Sequence, residues 1–151
     1  MTWRDNILTS DEQVKEVLAD TKRIAVLGIK PETHAGQPAF YVPRYMAEAG
    51  YEIVPVPVYY PEVDVILETP VYRSLTEIPG EIDMVNVFRR SHDLNRHTHE
   101  ILAKKPRSVW FQLGIRNDEV AERLAREGIK VIQDLCLMVE HRSFFRSAAT
   151  G

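Results

Sequence analysis

Three apolar runs in this chain each stop abruptly beside a cation. Ile24-Ala25-Val26-Leu27-Gly28 runs into Ile29-Lys30, Met84-Val85-Asn86-Val87-Phe88 into Arg89-Arg90, and Val109-Trp110-Phe111-Gln112-Leu113-Gly114 into Ile115-Arg116. Short runs rich in β-branched and aromatic residues read as strands buried on both faces, the pattern of a parallel sheet. Glu52–Val56 and Lys130–Gln133 supply two further candidates. The strand starts, near residues 24, 52, 83, 108 and 130, lie roughly one βα unit apart. The expected fold is therefore α/β: a three-layer sandwich around a Rossmann-like parallel sheet of about five strands. In such sheets ligands bind outside the carboxyl ends of the strands. Lys30, Arg89, Arg90 and Arg116 would then converge on one edge, where their charge suits a phosphorylated ligand.

Helical signals fill the intervals. Ser10 and Gln13 form a capping box before Val14, Val17 and Leu18, which predicts a helix over 11–20. Val42, Tyr45, Met46 and Ala49 share a helical face, closed by Gly50. Pro38 and Pro43 cannot both stand at the first helical position, so this helix starts late or is kinked. Val71–Arg73 reads as a short edge strand. Ser91 or Asp93 would cap the next helix, and Asn117 the one ended by Gly128. Leu135–Arg142 reads as a last helix, and the tail Ser147–Gly151 as disordered.

With 151 residues and 44% hydrophobic content the chain can bury one core. We expect a single domain over 1–151, ordered from about 10 to 145. A net charge of −3, with both signs mixed, gives no reason to expect nucleic acid or membrane as a partner. No apolar stretch reaches the roughly 18 residues of a membrane span. The amino terminus lacks a secretory core, and one cysteine, Cys136, excludes an intrachain disulfide. A cytoplasmic location is the simplest expectation. No feature specifies an oligomeric state, and a homodimer stays open.

The chemistry-bearing residues favour binding over catalysis. Gly28 permits a sharp turn ahead of a helix amino terminus, which favours phosphate. The G-x-G-x-x-G fingerprint is missing, and Val54-Pro55-Val56-Pro57-Val58 has no acid where an NAD site uses one. Those prolines could instead wall an apolar slot for a purine. Phe88-Arg89-Arg90 is the sharpest feature: guanidinium forks grip phosphate oxygens while Phe88 covers an apolar part. Arg116 has an alternative partner in Asp118 or Glu119. His92, His97 and His99 lack metal-ligand spacing and read as a solvated helix face. Cys136 and His141 do not face one another well enough for thiol catalysis, and Cys136 reads as buried and inert. Trp110 reads as core.

The chain resembles the small stand-alone CoA-binding proteins, whose domain also opens the succinyl-CoA synthetase α subunit. The resemblance spans about Thr21 to Arg142. It is carried by Ile24–Gly28, Gly50–Val56, Val71–Leu75, Ile82–Arg90 and Trp110–Asn117. It implies coenzyme A laid across the strand ends. Gly28, Ile29 and Lys30 would lie near the pyrophosphate, and Pro57 and Val58 near the adenosine. Val87, Phe88, Arg89 and Arg90 would flank the nucleotide and pantetheine, with Gln112 and Gly114 on the next strand end. Val58 stands where the family often has lysine, so Lys30 or Arg89 would have to meet the 3′-phosphate. In the synthetases the phosphohistidine lies in a separate domain outside the region of resemblance, so their ligase activity is not expected to carry over.

The favoured reading is a protein that binds CoA or acyl-CoA as a small-molecule ligand without catalysis of its own. Two alternatives stay open: a small NADP-dependent reductase or acyl-CoA-transforming enzyme, and an interaction module with a vestigial pocket.

Overall fold

The computed structural model describes residues 2–146; the expectation for Ser147–Gly151 lies outside them. In chain order the strands are β1 (Arg23–Leu27), β2 (Glu52–Val56), β3 (Val65–Ile66), β4 (Thr69–Pro70), β5 (Met84–Val87), β6 (Ser108–Phe111) and β7 (Lys130–Ile132). The helices are α1 (Asp11–Asp20), α2 (Pro38–Glu48), α3 (Asn95–Lys104), α4 (Asp118–Arg126) and α5 (Leu137–His141). β3 and β4 form a two-residue antiparallel ribbon. Among the described residues the other five strands make one wholly parallel sheet, in the order β2-β1-β5-β6-β7. The order reverses between β1 and β5, the switch point of a doubly wound, Rossmann-like sheet.

Side chains alternate across the sheet. Ala25, Leu27, Val85, Val87, Val109 and Phe111 pack on one face against Leu94 and Ile101 of the α3 segment and Val120 and Leu124 of α4. Ile24, Val26, Met84, Trp110 and Ile132 face Val17 and Leu18 of α1, Phe40 and Met46 of α2, and Leu137 at the start of α5. Both faces are dry, which is why these strands read as unbroken apolar runs. Trp110 is core, as expected: it is fully buried, and its Nε1 donates to Leu135 O at 2.8 Å.

Pro55 and Pro38 settle into positions that need no N–H. Pro55 turns its carbonyl to the outer edge of β2, where it accepts Tyr72 N–H at 3.0 Å. Its missing donor is therefore not subtracted from the ladder with β1. Val71–Arg73 forms no strand, and Tyr72 makes this single cross-link instead. Pro38 takes the first position of α2 and Pro43 lies inside the same helix. Ser10 caps α1 as expected, and Asn117 Oδ1 caps α4 by accepting Val120 N–H at 3.0 Å. α3 departs from expectation: neither Ser91 nor Asp93 caps it, and a 3-10 turn at Ser91–Asp93 leads into it through Leu94.

The ends of β1 and β5 meet unusually closely. Gly28 has φ +92°, and a Cβ there would stand 2.3 Å from Phe88 O. Gly28→Ala therefore combines left-handed strain with overpacking, and about 2–4 kcal/mol of stability should be lost. Urea denaturation checks this; a midpoint within error of wild type would show that the approach is not needed.

Candidate functional site

A groove of about 580 Å³ opens at the switch point. Three loops build it. The β1–α2 loop and the first turn of α2 contribute Lys30, Gln37, Pro38 and Ala39, the β5–α3 loop Phe88–His92, and the β6–α4 loop Gln112–Ile115. Lys30, Arg89 and Arg90 all line it, and no carboxylate does. Phe88, Leu113 and Ile115 supply apolar surface, Leu113 with 65% of its surface exposed.

Lys30 is placed by a proline. Pro43 has no N–H to offer the carbonyl four residues back, so Ala39 O is released from the helical ladder. Lys30 N–H donates to it at 3.2 Å, tying the loop to α2. The Lys30 ammonium donates to Gln37 Oε1. At the amino terminus of α2, Pro38 removes one free donor, while Ala39 by position has no intrahelical acceptor for its N–H.

The two arginines differ. Arg90 leaves 75% of its side chain exposed, with Nε 3.4 Å from Asp93 Oδ2. Arg89 leaves 7%. Its Nε donates to His97 Nε2 at 3.2 Å, and Nη2 lies 3.7 Å from Asp93 Oδ2. The guanidinium also lies over the Tyr59 ring, 5.4 Å from its centroid, and Arg89 holds the phenol below its ordinary pKa. His97 is not on a solvated face: it is buried, with Nδ1 3.2 Å from Glu100 Oε2. His92 and His99 are exposed. Arg89, Asp93, His97 and Glu100 follow at intervals of four, four and three, the spacing of one helical face; that signal was present in the sequence.

Asp93 is the negative pole of the site. Burial opposes its charge, but His92, Arg89, Arg90 and Arg96 together outweigh that and hold its carboxyl below the ordinary aspartate pKa.

Five of the expected site residues do not line the groove. Gly28 is consumed by the approach to Phe88, Ile29 and Val87 are core, Pro57 is buried, and Val58 packs half-buried on the α3–α4 side. Lys30, Phe88, Arg89, Arg90, Gln112 and Gly114 come together. Gln112 Oε1 accepts Asn86 Nδ2 and Leu137 N–H, each at 3.3 Å. Asn86 Oδ1 is buried without a protein partner. Gly114, with φ +87°, turns the chain behind Leu113, and its N–H donates to Asp134 Oδ1 at 2.6 Å. Arg116 pairs through Nη2 with Asp118 Oδ1 at 3.2 Å, while its backbone N–H bonds Ser91 Oγ. Cys136 is half-buried rather than buried, at the start of α5. Among the described residues no group of three or more His, Cys, Asp or Glu could hold a metal, and no helix is long and apolar enough to cross a membrane.

A second cavity, of about 340 Å³, lies at the opposite, amino edge of the sheet. Its Asp83 is occupied in capping the backbone N–H groups of Lys22 and Arg23.

Residues 22–142 match the family described as CoA binding domain, and the chain belongs to it. The uncharacterized protein YneT of Bacillus subtilis (strain 168) is 40% identical over 132 residues, 87% of this chain and 94% of that protein. A solved structure from Thermus thermophilus superposes with a TM-score of 0.83 at 37% identity, over 91% of this chain and all of that one. A hypothetical protein of Pyrococcus horikoshii OT3 superposes at 0.80 with 28% identity, over 89% and 92% of the two chains.

The depressed Asp93 carboxyl stabilises the fold at all pH above its unfolded pKa, and that contribution is lost as pH falls through the lower folded value. Asp93→Asn should flatten this part of the acid limb. Thermal melts between about pH 2 and 7 read the difference, and superimposable limbs would contradict it.

Proposed function

We propose that the protein binds coenzyme A, free or acylated, in the switch-point groove, as a single CoA-binding domain without chemistry of its own. The observation that carries this reading is the gathering of Lys30, Arg89 and Arg90 on one groove with no carboxylate in its lining. A polyphosphate needs such a field, and charge-assisted contacts to phosphate are the strong ones. The apolar wall of Phe88, Leu113 and Ile115 suits the pantetheine arm. The donor set therefore fits the ligand that the family description names. The volume falls within the usual range for small-molecule sites, about 300–1,000 Å³.

Arg90, paired to Asp93 only through Nε and exposed to the groove, is the guanidinium that meets phosphate, and Arg89 forms the charged wall behind it. The two should separate on mutation. Arg90→Ala is expected to weaken CoA binding about tenfold or more while leaving the melting temperature nearly unchanged. Arg89→Ala should lower both, because it strands His97 and Asp93 beneath the groove.

Isothermal titration gives the affinities, and a thermal-shift panel of CoA, acetyl-CoA, NAD, NADP and ATP tests the ligand class. A ligand specific for the folded state adds about 2.7 kcal/mol at a hundredfold excess over its Kd. Absence of CoA binding at millimolar concentration, or a larger shift with NADP, would overturn the reading. An unchanged Kd in Arg90→Ala would remove that residue from the site.

A further inference from the structure

Beneath the groove lies a buried line of ionisable groups that phosphate binding alone does not require. Arg89 and His97 are both over nine-tenths buried. A guanidinium only donates, so His97 Nε2, 3.2 Å from Arg89 Nε, must be a bare acceptor. The ring proton of a neutral His97 is then on Nδ1, which faces Glu100 Oε2 at 3.2 Å. Glu100 is fixed in turn: its Oε1 accepts Leu75 N–H at 2.9 Å, from the 3-10 turn Leu75–Glu77 that precedes β5. The contact through Asp93 is longer, at 3.7 Å, and is shared with Arg90 and His92. His97 therefore supplies the direct hydrogen bond that orients Arg89.

We propose that His97 is a positioning residue: held in its Nδ1–H tautomer by Glu100, it sets the Arg89 guanidinium in the groove wall. Glu100 supports this: with Oε1 held by the Leu75 N–H, its Oε2 is the acceptor that faces His97 Nδ1. In consequence the field that a ligand meets at Arg89 is controlled from a side chain on α3 that lies outside the groove lining. This last step rests on the CoA reading; the tautomer does not.

Two measurements on the full chain test it. Long-range ¹H–¹⁵N correlation at neutral pH, with His97 assigned from the His97→Gln spectrum, should show a protonated Nδ1 and a bare Nε2. A proton on Nε2 overturns the proposal.

Titration with CoA should then show about a tenfold weakening in His97→Leu. His97→Gln, whose amide can both accept from Arg89 and donate to Glu100, should recover most of it. In an Arg89→Lys background, which lacks the Nε–H, His97→Leu should add nothing. Equal losses in both backgrounds, or no recovery by glutamine, would reduce His97 to a fold-stabilising residue and overturn the proposal. Should wild type fail to bind CoA, the ligand reading falls and the ring tautomer alone decides.

Discussion

The groove depends on the contact between Gly28 and the Phe88 carbonyl. Parallel pairing brings β1 and β5 side by side, with Phe88 N–H donating to Leu27 O at 2.9 Å. One residue later the chain must leave the sheet in opposite directions on the two strands, because the winding reverses here. A side chain at position 28 would force the exits apart. Without one, the loops bearing Lys30 and Arg89–Arg90 diverge from a single point, and their charges face one groove. At this glycine the structural demand is to bring backbone against backbone.

Around that point the loops are tied to one another rather than left to the ligand. Pro43 frees the carbonyl that anchors Lys30, and Ser91 holds the β6–α4 loop through Arg116 N–H and the Asn117 amide at 2.9 Å. The β2 exit is clasped by Arg73, which donates to carbonyls of Tyr59, Tyr60, Pro61 and Val63. It is tied to the β1–α2 loop by Glu32, which accepts Leu67 N–H at 2.9 Å. A site built this way has already met much of the ordering entropy that binding would otherwise have to supply.

The five strands, α1 with its capping box and the Asn117 cap were legible because each depends on residues close in sequence. The strand expected at Val71–Arg73 failed because pairing is a property of two segments, and of its residues only Tyr72 bonds β2, while Val71 N–H turns to Asp64 O. The expectation that His97 faces solvent failed for a related reason. Composition makes three histidines and an acid look like a wet helix face, and nothing local says that Arg89 folds under the loop to meet one of them. Desolvating that guanidinium requires acceptors, and Asp93 and His97 are where they come from.

By itself the sequence determined the alternation of strands and helices, the apolar core and the presence of cations just beyond three strand ends. Those follow from short-range periodicity and from the need to bury a continuous run on both faces. Tertiary structure alone decided which cations share a groove. Lys30 and Arg90 are presented to it, Arg89 lines its wall while held from below by His97 and Asp93, and Arg116 is turned to Asp118. The physical reason is that burial and charge partners depend on which loops the sheet order makes neighbours, and no local pattern carries that order.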